Sequence, residues 1–106
     1  MNLWQKIQSK HSEAYDKWRQ YIYTDNSEIW DFFDWQELNL SYLWGHIEDF
    51  FDSKGIYIVM DVYQKDEKNK EFIYSINNQG YFGFKSRQEA REAAIIKCFE
   101  ILERDK

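Results

Sequence analysis

The stretch SRQEAREAAIIKCFEILE, residues 86–103, decides how the rest of the chain is read. Ser86 followed three residues later by Glu89 is a capping box, the local signal for a helix start. Ala90, Ala94, Ile95, Cys98, Phe99, Ile101 and Leu102 then recur at helical spacing. Their stripe is too broad for one contact surface, so the spacing predicts a helix lying between a sheet and other helices. Arg87 and Arg91 occupy its first turns, with Lys85 just before them. The segment therefore has two readings: it closes a hydrophobic core, or its N-terminus grips a phosphate backbone.

Upstream of this helix the period is two. In IYIVMDVY (56–63) Ile56, Ile58, Met60 and Val62 alternate with Tyr57, Val59, Asp61 and Tyr63, which predicts a strand with one wholly apolar face. The charged loop QKDEKNKE separates it from EFIYSI, where Phe72, Tyr74 and Ile76 share a face. Asn77-Asn78-Gln79-Gly80 is turn chemistry, so this strand and Tyr81–Phe84 should form a hairpin. Before the strands, Leu40, Leu43, Trp44, Ile47, Phe50 and Phe51 mark a helix with Asn39 as N-cap and Gly55 as stop.

At the N-terminus, Trp4, Ile7, His11, Ala14, Tyr15, Trp18, Tyr21 and Ile22 predict one helix over about residues 3–23, ended by Thr24-Asp25-Asn26-Ser27. EIWDFFDWQE (28–37) reads as a short helix or turn. The expectation is a single α+β domain over 1–106: helical extension 1–38, then an αβββα unit over 39–104. Its order is α-α-α-β-β-β-α, with a three-stranded antiparallel sheet and the helices on one face of it. The other face is expected to carry Tyr57, Val59, Tyr63, Ile73 and Tyr81, a surface aromatic enough to be a contact site. The plain alternative is that tyrosine and valine are simply good strand formers.

Bulk properties exclude several classes. The chain has 106 residues, 31% charged, and a net charge of -5. Its mean hydropathy is -0.81, and no apolar run approaches the roughly 18 residues of a membrane helix. MNLWQKIQSKHSEAY holds no apolar segment of the signal-peptide kind, and a single cysteine builds no internal disulfide, so a cytoplasmic location is expected. An excess of acids argues against a general nucleic-acid binder, which needs a dense basic surface. Aromatics, at 20%, are unusually frequent and let a small core form from few positions.

No catalytic residue, metal site or cofactor site is expected. There is no glycine-rich phosphate loop and no nucleophile elbow. Cys98 lies on the core stripe and should be an inert buried thiol. His11 and His46 interrupt apolar helix faces without metal-ligand spacing. Asp61, Glu71 and Lys70 imitate a metal nuclease only loosely. The acidic, aromatic segment DNSEIWDFFDWQELN is the more distinctive feature. Asp31, Asp34 and Glu37 beside Trp30, Phe32, Phe33 and Trp35 could mimic nucleic-acid charge toward a basic protein groove, or could be the solvated flank of core aromatics. The reading reached is a non-catalytic module that binds a protein partner through Tyr57, Tyr63 and Tyr81 or through Asp31, Asp34 and Glu37. Self-association is a second form that such a contact could take.

Two resemblances bear on this. Residues 43–104, through LWGHIEDFFDSKGIYIVMDVY, EFIYSINN and above all SRQEAREAAIIKCFEILE, are similar to a family of short uncharacterised proteins of tailed phages and mobile elements of Bacteroidetes-type bacteria. The resemblance implies a compact accessory protein without enzymatic activity. More weakly, the order helix–strand–strand–strand–helix and the closing helix resemble the double-stranded-RNA-binding domain. There Ser86 fits the cap, Arg87 and Arg91 fit two of three basic positions, and Gln88 stands where a lysine is expected. This implies an alternative RNA site at Lys85, Arg87 and Arg91. Against it, QKDEKNKE lacks the family's loop histidine, and Glu48, Asp49 and Asp52 would repel RNA.

Overall fold

The computed structural model describes residues 2–25, 39–64, 66 and 68–104. Helix α1 spans Leu3–Lys10 and opens on a complete capping box, with Asn2 and Gln5 side chains each accepting from the other's backbone N–H. Helix α2 spans Ser12–Gln20. The single N-terminal helix expected from periodicity is thus two helices, broken at His11, whose φ of -135° and ψ of 57° lie outside the helical region. The break frees N–H groups at the start of α2, and one of them, on Ala14, donates to Glu103 Oε2 at 2.9 Å, 89 residues away. The apolar spacing continues across the kink because Trp4, Ile7, Ala14, Tyr15, Trp18 and Ile22 all turn to the same core. A single π-helical turn, Tyr21–Asp25, closes the segment. The expected short element at 28–37 lies outside the described residues.

Helix α3, Leu40–Asp52, begins where expected, with the Asn39 side chain accepting from the Ser41 N–H at 3.0 Å. It ends in a Schellman pattern around Gly55 at φ 77°: the Gly55 N–H donates to Asp52 O at 3.0 Å and the Ile56 N–H to Phe51 O at 2.9 Å. Strands β1 (Ile58–Gln64), β2 (Lys70–Ile76) and β3 (Gln79–Phe84) pair antiparallel in the order β1-β2-β3. Between β2 and β3 the two-residue turn is Asn77-Asn78, both left-handed at φ 51° and 72°, so β3 starts two residues earlier than the turn signal suggested. Asn77 also anchors the lead-in to β1, accepting from the Tyr57 N–H at 2.9 Å and donating to Gly55 O at 3.3 Å.

The last helix, α4, spans Arg87–Arg104. Ser86 Oγ accepts from the Glu89 N–H at 3.1 Å, while the Glu89 carboxylate reaches back to the Lys85 N–H at 3.1 Å, a capping box displaced by one residue. As its broad stripe predicted, α4 is sandwiched: it packs on all three strands and on α1, α2 and α3. Ala90, Ala94, Ile95 and Cys98 are completely buried. The observed order is α-α-α-β-β-β-α in an α+β fold, with the first two helices both drawn from the segment expected to form one. Aromatic rings cement the helical layer. Trp4 stacks on Trp18 at 5.6 Å, Trp18 meets Phe50 edge-on at 5.4 Å, and Phe51 meets Phe99 at 5.1 Å.

Candidate functional site

The two faces of the sheet are set by register. Ile58, Met60 and Val62 lie opposite Ile76, Tyr74 and Phe72, and this face turns to α4. Val59, Asp61 and Tyr63 lie opposite Ser75, Ile73 and Glu71 on the other face. Nothing among the described residues covers that second face: Val59 is 58% exposed, Tyr63 54% and, just ahead of β1, Tyr57 57%.

On β3 the alternation is interrupted. Phe84 pairs with Phe72 and Tyr81 with Tyr74, so two residues, Phe82 and Gly83, oppose Ile73 alone. This is a β-bulge, and Gly83 makes it with φ at 95°, a conformation that costs glycine little. Both Tyr81 and Phe84 consequently face α4, stacked and tilted on Tyr74 at 4.8 and 5.4 Å. The expected exposure of Tyr81 on the outer face is therefore corrected: it packs against the core. Its place outside is taken by Phe82, 68% exposed, whose ring folds back over Gly80. Sequence reasoning missed Phe82, although two glycines within GYFGF were a signal for a bulge.

The inner face opens at one end. Exposure rises along β1 from Ile58 at 8% to Val62 at 37%, as the strand runs out from under α4. A cavity of about 370 Å³ fills the gap, lined by Trp44, Met60, Asp61, Val62, Phe72, Arg87 and Arg91. The guanidinium of Arg91 lies 5.5 Å from the Trp44 ring centre and that of Arg87 lies 5.7 Å from the Phe72 ring centre. The Arg91 Nε is shut off from water and has no acceptor among the described residues, an arrangement that costs roughly 1–3 kcal/mol. Trp44 also donates its indole N–H to Glu48, whose carboxyl is nonetheless pushed above the usual range by burial and by neighbouring Asp52 and Asp49.

A second cavity, of about 460 Å³, is lined by Lys68, Asn69, Lys70, Glu71, Gly83 and Lys85. The structure therefore brings Arg87 and Arg91 together on aromatic floors and places Lys85 with two loop and strand lysines instead. Asp31, Asp34 and Glu37 lie outside the described residues. Cys98 is fully buried, and burial pushes its thiol up to about 12, which removes it as a nucleophile near neutral pH. His11 sits at the α1–α2 kink and His46 on α3, both half-buried. Among the described residues no three His, Cys, Asp or Glu side chains are grouped to hold a metal ion. Nor is any described helix long and apolar enough to cross a membrane. Compared with family models, curated proteins and solved structures, the chain matches none.

Proposed function

We propose that this chain is a small, non-catalytic accessory protein of the phage or mobile-element kind it resembles, acting in the cytoplasm by binding a protein partner. Its contact surface is the open sheet face of Tyr57, Val59, Tyr63 and Phe82. One observation supports this reading: four large apolar side chains, each more than half exposed, are gathered on one sheet face while the opposite face packs against the last helix. Exposed aromatics grouped in this way are typical of binding surfaces, where tyrosine and phenylalanine serve as anchors. Asp31, Asp34 and Glu37 remain a second proposed contact for a basic partner.

The test is capture from host lysate by the wild type and by a Val59→Lys/Phe82→Lys variant of unchanged melting temperature. The proposal expects a partner retained by the wild type and lost by the variant. Equal capture by both would overturn it. Conversion of a wild-type dimer to a monomer by the same changes would make the partner a second copy of the chain.

One further observation favours RNA as a second reading. Lys68, Lys70 and Lys85 cluster beside Arg87 at one end of an otherwise acidic molecule. Salt-sensitive binding of duplex RNA, lost in a Lys85→Ala/Arg87→Ala/Arg91→Ala variant, would support it.

A further inference from the structure

We infer that the cavity between α3, α4 and the open end of β1 is a binding site for an oxyanion, a carboxylate or phosphate, carried on a flat apolar group. The inference concerns a different surface from the outer sheet face and stands independently of it.

Acidic side chains outnumber basic ones by 19 to 14, so an arginine in this chain has no shortage of carboxylates to pair with. Yet neither Arg87 nor Arg91 forms a hydrogen bond or close ion pair with a side chain among the described residues. Each is held by an aromatic face instead, Arg91 over Trp44 and Arg87 over Phe72. A guanidinium held over a ring by its charge keeps its N–H donors unspent, and such donors can receive an oxyanion in two-pronged fashion. The two residues stand one helical turn apart, at i and i+4 of α4, so both edges serve the same cavity.

Lysines also lie over rings elsewhere, Lys54 over Phe50 and Lys97 over Tyr81, but neither lines this cavity. The remaining walls set the rest of the ligand. Trp44, Met60, Val62 and Phe72 offer an apolar slot whose volume is at the small end of the roughly 300–1,000 Å³ range of ligand cavities. A bare anion would leave that slot unfilled; a flat apolar body fits it.

Two carboxylates lie close and must be accounted for. Asp61 alternates to the opposite sheet face from Met60 and Val62, and its Oδ1 accepts from the Val62 N–H at 2.8 Å. Glu48 is held by the Trp44 indole N–H and feels the Arg91 charge, which acts to lower its pKa, but it forms no hydrogen bond or close ion pair with that guanidinium. Asp61 lines the cavity and Glu48 borders Arg91, yet neither carboxylate is hydrogen-bonded or closely ion-paired to either guanidinium.

The experiment uses the full chain labelled with ¹⁵N and follows the Arg87 and Arg91 Nε–H and Trp44 indole signals. Phenyl phosphate and benzoate are titrated against inorganic phosphate at fixed ionic strength. The expected result is saturable movement of all three signals, with phenyl phosphate binding about tenfold more tightly than inorganic phosphate. Arg91→Gln should abolish the saturation. Because that change could also disturb packing, Val62→Glu and Val62→Lys, at an exposed position on the rim, form the second arm. Both changes remove one apolar wall, so the reading is their difference: Glu should bind phenyl phosphate about tenfold more weakly than Lys at the same position, and equal affinity of the two variants would overturn the inference. Linear, unsaturated shifts would overturn the inference, as would equal affinity for all anions. Tighter binding of a duplex RNA through the same signals, lost on changing Lys68, Lys70 and Lys85, would also overturn it and assign the end of the molecule to nucleic acid.

Discussion

The two faces of the sheet are built from similar residues and do opposite things. Tyr74 on the inner face is 5% exposed, while Tyr63 on the outer face is 54% exposed, although they belong to neighbouring strands. Residue type alone does not separate them. Parity along the strand does, together with what stands opposite: α4 covers one face, and no described residue covers the other. The comparison teaches that an aromatic-rich small domain can spend only part of its aromatic surface on folding and leave the rest available for contact.

The sharpest way to break this comparison is to shorten one phenylalanine on each side. Phe99, 1% exposed between Trp4 and Phe51, should cost about 3–5 kcal/mol when changed to alanine, measured by chemical denaturation. Phe82→Ala should stay within about 0.5 kcal/mol of the wild type. A large loss at Phe82 would mean that the outer face is structural after all.

A smaller effect distinguishes the inner layer by its titration. Burial raises the Cys98 thiol from about 9 to about 12, and burial beside Tyr81 raises the Tyr74 hydroxyl from about 10 to about 12. Across this window the unfolded chain has released protons that the folded chain retains, so stability falls as pH rises from about 9 toward 12. Denaturation midpoints measured at pH 8, 10 and 11 should decline steadily, and Cys98→Ala should flatten the decline. An unchanged slope in that variant would show the thiol to be accessible.

The mildest change tests how the two faces are assigned. Gly83 sits at φ 95° with open space where a Cβ would go, so Gly83→Ala costs only backbone strain, about 1–2 kcal/mol. Thermal melting should register that loss. If the bulge is instead expelled, Phe82 and Tyr81 exchange faces, and a rise in Tyr81 solvent accessibility would report it.

Much of the architecture was legible beforehand because it rests on short-range signals. The caps at Asn39 and Ser86, the stop at Gly55 and the presence of a turn within Asn77–Gly80 each depend on a few neighbouring residues, though its two-residue form at Asn77-Asn78 came from the structure. The width of the apolar stripe in α4 likewise foretold its central place, since a helix that is apolar on two sides must be covered on both. The outer face was legible at Tyr57, Val59 and Tyr63 for the same reason of parity. It failed at Tyr81, because one extra residue on β3 reverses every assignment before it.

What the sequence by itself determined, then, is the α-then-β-then-α order of the elements and, except on β3, which side of each is apolar, all matters of spacing within about one turn or one strand. The tertiary structure alone decided three things: the kink at His11, the bulge that turned Tyr81 inward and Phe82 outward, and the laying of Arg87 and Arg91 on Phe72 and Trp44 around a shared cavity. Each of these joins residues well separated along the chain, most plainly Ala14 and Glu103. Local periodicity carries no information about such partners; packing selects them once the elements meet.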